Sequence, residues 1–257
     1  MENRYPLFAG GRILKKESLW NLRDYAYGGW QLQYADYTDG VIKGCRVRVE
    51  GMNLVVGKGM MKYGDFIFLM EEEAIIPFEA ENRTTVLKAT FEIKREHADY
   101  LAYEVRFFLD YELERQENQI ELCRFHLREG SVLRDSYKDF ADMGTEYDTV
   151  NLIYATIAGK GKATLHTEIM YRFAEELQEQ QDKQMVDYVF YYSVKNTEGI
   201  VSRNMVEIYL TDKKQGYKLN EISSWDNMQL FDALGSILNF RRSTGYPNSN
   251  KMMVYME

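Results

Sequence analysis

Between Asp39 and Met70 the chain reads DGVIKGCRVRVEGMNLVVGKGMMKYGDFIFLM, and glycine interrupts its apolar runs at Gly40, Gly44, Gly51, Gly57, Gly59 and Gly64. Runs of about four to six apolar or β-branched residues, each closed by glycine, read as short strands joined by tight turns. Glycine suits such turns because it takes positive φ without steric cost. The stretch is therefore expected to be a β-meander. A meander buries its apolar face only against further strands or a helix, so the rest of the chain must supply that cover.

Ahead of the meander, Leu14, Leu19, Trp20 and Leu22 fit one side of a helix over residues 13–25, with Lys15, Lys16, Glu17 and Arg23 on the other. Gly28-Gly29 is expected to end it, with Trp30–Tyr37 a short helix or an extended linker, and residues 1–12 an extended arm. Behind the meander come a solvated Glu71-Glu72-Glu73 turn and a strand over residues 74–78. Leu87, Ala89, Phe91 and Ile93 then alternate with Lys88, Thr90, Glu92 and Lys94, which predicts a half-buried strand. Tyr103, Val105, Phe107 and Leu109 repeat that pattern across a polar REHAD turn. Residues 120–127 form another strand, and 148–158 are expected to be extended.

Past Gly159-Lys160-Gly161 the period changes from two to nearly four. Met170, Phe173, Ala174 and Leu177 mark an amphipathic helix, and Val186, Val189, Phe190 and Val194 mark a second. A third starts at an N-cap Ser202 with Met205, Ile208 and Tyr209 on its inner face. In the fourth, Ser223 or Ser224 is the expected cap, Asp226 favours the first turn, and Phe231, Leu234, Ile237 and Leu238 form the stripe. Arg241 and Arg242 complement its C-terminal dipole. The last fifteen residues or so read as a turn followed by a final strand or a partner-dependent tail. The expectation is an α+β chain: a short N-terminal helix, an antiparallel β-rich part (meander or sandwich-like) and a C-terminal helical part. Its units are 1–38, 39–158 and 159–257.

Composition narrows the function classes. A net charge of −8 over 257 residues, with bases and acids evenly mixed, predicts no nucleic-acid partner. No window approaches the roughly 18 apolar residues of a membrane span, so no membrane partner is expected. The N-terminus has no basic region leading into a long apolar core, so synthesis in the cytoplasm is expected. Cys45 and Cys123 lie in apolar strand-like runs and read as buried thiols. With 3 Pro against 20 Tyr and 13 Phe, the chain is rich in side chains that suit strands and protein interfaces.

Motifs for chemistry fail one by one. Gly57-Lys58-Gly59 and Gly159-Lys160-Gly161 lack the Walker spacing: Ala163 follows Lys162, and Thr156 holds the upstream glycine position. Both read as tight turns. His97, His126 and His166 have no metal-ligand neighbour at the usual spacing, and His166 is expected to face solvent. Cys123 and His126, three apart on a strand, point to opposite faces. Glu175, Glu176 and Glu179 read as a solvated helix face. No catalytic, cofactor-binding or metal residue is therefore predicted, and no cofactor.

One resemblance carries more. Asp39, Gly40, Ile42, Gly44, Val47, Leu54, Val56, Gly59, Gly64 and Ile67 follow the turn-strand pattern of the small β-modules found in phage tail-fibre and baseplate proteins. Ile120, Leu122 and Gly130 match the strand-turn that follows such modules. The chain is similar to prophage-encoded proteins of Gram-positive gut bacteria, chiefly over residues 7–147. The resemblance implies a non-enzymatic structural subunit, a baseplate or tail-accessory component of a phage-tail-like particle. It acts by contacts with other tail or baseplate subunits, and with itself as a homo-oligomer, assembling in the cytoplasm into a virion-type particle. The alternative class is a carbohydrate- or cell-surface-binding β-module, which Trp30, Tyr63 and Tyr103 would serve if they lined a groove.

Overall fold

In a computed structural model the described residues are 13–94, 100–214 and 217–239, with Pro6, Phe8, Gly10 and Gly11. Most of the expected N-terminal arm, the REHAD turn with His97, the Arg241-Arg242 pair and the C-terminal tail lie outside them.

The glycine-rich stretch is a three-stranded meander folded across its middle. One strand runs through β1 (Gly40–Gly44) and β2 (Val47–Glu50), the next through β3 (Asn53–Val56) and β4 (Gly59–Tyr63), and the third through β5 (Phe66–Met70) and β6 (Ala74–Pro77). β1 pairs β4 and β2 pairs β3, both antiparallel, and the register continues across the break. There the Cys45 N–H donates to the Lys58 carbonyl and the Gly57 N–H to the Arg46 carbonyl, each at 2.9 Å. The bend needs glycine at specific atoms. Gly44 has φ +71° and Cys45 φ +53°, and a Cβ on Gly59 would lie 2.4 Å from both the Cys45 nitrogen and the Lys43 oxygen. Gly57-Lys58-Gly59 is thus a kink inside the central strand, where the sequence predicts a tight turn. Folding the meander there splits it into two half-sheets, β1-β4-β5 and β2-β3-β6.

The second layer is β8 (Ala102–Asp110), β7 (Thr84–Lys94) and β9 (Gln119–His126), antiparallel with β7 central. Aromatic rings join the layers: Tyr63 stacks on Phe91 at 5.0 Å, Phe66 on Tyr103 at 3.6 Å, and Phe78 meets Phe125 edge-on at 5.4 Å. β7 departs from the half-buried expectation, because Val86, Leu87, Lys88 and Ala89 are all fully buried. The chain after β8 covers its second face: the Lys88 ammonium donates to Asp110 at 2.7 Å and to the Glu114 carbonyl at 2.6 Å. A bulge at Leu122 in β9, opposite Leu87 and Lys88, puts Glu121 on the same side as Arg124. The two form a bidentate pair at 2.7 and 2.8 Å, and the guanidinium lies 3.5 Å from the Tyr154 ring. Residues 148–158 run beside β9 and cross to β1, where the Val41 N–H donates to the Thr156 carbonyl. The segment ties the two layers together.

The helical part comprises α2 (Thr167–Glu179), α3 (Met185–Asn196), α4 (Arg203–Lys213), α5 (Leu219–Ile222) and α6 (Asn227–Ile237). The α2 stripe is buried as its spacing predicts, from Met170 through Phe173 and Ala174 to Leu177. In α3, Phe190 and Val194 are buried but Val189 is exposed, and Asp187 takes an inner position. In α4, Val206, Glu207, Tyr209 and Leu210 face inward and Ile208 outward, a rotation from the expected stripe. The reason is shared. Asp187 accepts from the Tyr209 hydroxyl at 2.8 Å and the Lys213 ammonium at 2.9 Å, and Glu207 accepts from Lys162, Arg203 and Ser223. A carboxylate so fully hydrogen-bonded can occupy a core face, which a periodicity of apolar residues alone excludes. Ser202 caps α4 as expected, accepting from the Met205 N–H. At α6 the cap is Asp226, in a capping box with Gln229, and Ser223 and Ser224 bond elsewhere.

Five buried aromatic rings form one continuous chain of stacked and edge-on contacts. Phe231, Phe140, Phe173, Phe190 and Tyr209 follow one another at centroid distances of 4.4, 5.7, 5.8 and 4.0 Å. A single apolar core runs from Val41 to Leu234 through both the strands and the helices.

The first helix breaks the pattern. α1 spans Lys16–Gln33 and passes through Gly28-Gly29 without stopping. Two glycines cost a helix about 1 kcal/mol each, but neither adopts positive φ here, and the chain caps only at Tyr34. None of its residues is buried.

Candidate functional site

Among the described residues, two helices leave large apolar side chains exposed. On α1, Glu17, Asn21, Asp24 and Gln31 share one polar stripe, and the rest of the circumference mixes large apolar side chains with Lys16, Ser18, Arg23 and Gln33. Its main anchorage to the β layers is Tyr27, whose ring lies 6.3 Å from Phe66 of β5. Leu19, Trp20, Leu22, Tyr25, Trp30 and Leu32 remain exposed.

A second surface lies on α3. Met185, Tyr188, Val189 and Tyr192, spaced i, i+3, i+4 and i+7, are all exposed while Phe190 and Val194 on the opposite side are buried. This helix has two apolar faces and buries one. The expected stripe mixed the two faces, taking Val189 of the outer one with Val186, Phe190 and Val194 of the inner; the doubled spacing, 185-188-189-192 beside 186-190-194, was the signal that could have separated them.

Between the bend of the meander and the start of α2 lies a cavity of about 200 Å³, lined by Val41, Cys45, Val47, Leu122, Ile157 and His166 among others. His166 does not face solvent as expected. It is half-buried as the N-cap of α2, its Nδ1 accepting the Glu168 N–H at 3.2 Å, so the proton of the neutral ring is on Nε2. Burial, with the nearby Arg46 guanidinium, pushes its pKa down to about 4. Burial pushes the Cys45 thiol up to about 12, and Cys123 is pushed up as well. Both cysteines are buried and free. A thiol held protonated is a poor nucleophile, so Cys45 does not resemble an activated cysteine.

The remaining sequence candidates disperse. His126 lies 3.5 Å from the Thr84 hydroxyl and edge-on to Tyr147. Glu175 and Glu179 are on a solvated face, but Glu176 is half-buried and accepts the Phe140 N–H. Tyr63 and Tyr103 are used in packing the two β layers, and Trp30 stacks on Tyr34. Among the described residues no group of three His, Cys, Asp or Glu side chains is placed to hold a metal, and no helix is long and apolar enough to cross a membrane.

No family model matches the chain, and no curated protein does. Among solved structures, it is similar to a chain of the type VI secretion system TssK–TssF–TssG baseplate subcomplex, with 8% identity and a TM-score of 0.37 over 93% of this chain and 99% of that one. It is also similar to a chain of the type VI secretion baseplate complex, at 8% identity and TM-score 0.39 over 93% of this chain and 69% of that one. A crystal structure of TssK matches at 10% identity and TM-score 0.35, over 92% and 72%. These structural neighbours are baseplate proteins at low identity, and at these TM-scores the likeness does not assign a role.

Proposed function

We propose that this chain is a non-enzymatic structural subunit of a phage-tail-like particle, a baseplate or tail-accessory component that works by protein–protein contacts. The observation that carries the reading is a closed core combined with two uncovered apolar helix faces, one on α1 and one on α3. Apolar patches of this size on a folded chain mark places where another protein sits. Their side chains are largely Tyr, Trp, Met and Leu, and the aromatics and Met among them are enriched in interface cores. The choice of particle rests on the motif resemblance of Asp39–Met70.

The test is co-expression with the products of neighbouring genes. A stable complex that survives size exclusion, and is lost when the α3 face is made acidic, supports the reading. Recovery of the chain alone, with none of those products attached, would sink it.

A further inference from the structure

We propose that the cavity between the meander bend and the start of α2 is a binding site for a small, uncharged ring compound that carries a hydrogen-bond acceptor. The proposal goes beyond the assembly reading and uses neither of the exposed helix faces.

Size and walls come first. Val41, Val47, Leu122, Ala155, Ile157 and Ile200 supply the apolar lining of about 200 Å³. Close-packed interiors hold few voids larger than a water molecule, and an apolar void of about 150 Å³ can stay dry and take up benzene. The space here therefore suits a single six-membered ring with a small substituent. Its walls are fixed by the chain itself. On the β side, Val41 donates to the Thr156 carbonyl and accepts from the Ala158 N–H, each at 2.9 Å, and Gly44 and Cys45 hold the bend at positive φ. On the helix side, the loop between α3 and α4 is clamped down. The Gly199 N–H donates to the Val194 carbonyl at 2.9 Å, and the Thr164 hydroxyl to the Val201 carbonyl at 2.6 Å. Gly199, at φ +81°, lies so close to α2 that a Cβ there would sit 2.9 Å from both the Thr167 carbonyl oxygen and the Tyr171 ring. A pre-formed apolar pocket with few polar groups is the usual form of a small-molecule site.

The polar groups select the ligand. His166 lines the cavity, and its Nδ1 is taken by the Glu168 N–H. The ring proton is left on Nε2, which makes no hydrogen bond to a described residue. A protonated ring nitrogen donates, so the ligand atom that meets it is an acceptor. Charge is already balanced. Lys43 and Glu198, both on the lining, pair with each other at 3.6 Å, and beside His166 the Arg46 guanidinium pairs with Glu168 at 2.9 Å. A charged ligand would lie unpaired among apolar walls or break one of these pairs, and either is costly. The Lys43 and Glu198 side chains are 65% and 72% exposed, which puts their pair at the surface end of the cavity. An ion pair so exposed contributes little and opens readily, so it does not bar entry.

The experiment uses the full chain and three compounds of one shape. Acetophenone has an acceptor and no charge, α-methylstyrene has carbon in place of the oxygen, and benzoate is an anion. In an amide NMR titration acetophenone should bind once per chain with a Kd of about 1 mM or tighter, its shifts centred on residues 41–47 and 166–167. Benzoate should bind about tenfold more weakly or worse. Ala155→Leu fills the cavity and should abolish binding without lowering the melting temperature; Ile200→Phe fills it from the other wall and serves if the first variant does not fold. His166→Ser keeps a good cap for α2 and should weaken acetophenone about two- to tenfold relative to α-methylstyrene, because only acetophenone uses Nε2. Absence of saturable acetophenone binding overturns the proposal. So does benzoate binding as tightly, a folded filled variant that binds as wild type, or a ratio of the two neutral ligands that His166→Ser leaves unchanged. None of these outcomes touches the assembly reading, which is decided by the co-expressed complex.

Discussion

His166 couples the start of α2 to pH. Its cap needs an unprotonated Nδ1, because the Glu168 N–H donates to that atom. With its pKa pushed down to about 4, against about 6.5 in an unfolded chain, the imidazole stays neutral in the fold while the unfolded chain takes up a proton. The stability this group contributes is intact above about pH 6.5 and is lost as pH falls toward 4. His166→Asn keeps a good cap acceptor and cannot titrate there. In urea titrations it should lose on the order of 2 kcal/mol less than wild type between pH 6.5 and 4. Glu168 is pushed up by burial and acts in the opposite sense, so the difference between the two proteins is the readout. Lys88 makes a second prediction at this scale. Asp110→Ala strands a buried ammonium with only the Glu114 carbonyl and should cost about 3 kcal/mol, whereas Lys88→Met, similar in volume, should cost about 1 kcal/mol or less. Equal losses in chemical denaturation would contradict that account of the pair.

At the scale of elements, the bend in the meander is the most demanding piece of local structure. A Cβ at Gly59 meets backbone at 2.4 Å, so one strand must move; at Gly57 the nearest atom is 3.5 Å away, an ordinary contact. Gly59→Ala should therefore cost about 4 kcal/mol or more, or prevent folding, while Gly57→Ala should cost about 1 kcal/mol or less. Thermal melts of the two variants check this directly. If the triplet were an exposed turn, neither change would matter much. α1, which has no buried residue, continues through two glycines on its own hydrogen bonds.

At the scale of the molecule, the outer face of α3 should be dispensable for folding and necessary for assembly. Val189→Glu with Tyr192→Glu should leave stability within about 0.5 kcal/mol of wild type, since both side chains are exposed. The same variant should lose a co-expressed neighbour that wild type retains; retention would move the contact elsewhere. Such separation of stability from binding is the mark of a surface built for a partner. Much of this chain could be read before any coordinates. Glycine spacing gave away the meander, a period of two the long strands, and a period near four the α2 stripe, because each records which side of one element meets apolar neighbours. Backbone geometry carries that information locally. Other features are decided between elements: Asp187 and Glu207 lie inward because donors from other helices meet them, and Gly59 bends a strand because Lys43 and Cys45 lie across from it. The open faces of α1 and α3 belong to the same class. A sequence marks a side chain as apolar, but whether the chain's own core covers it depends on where every other element has gone.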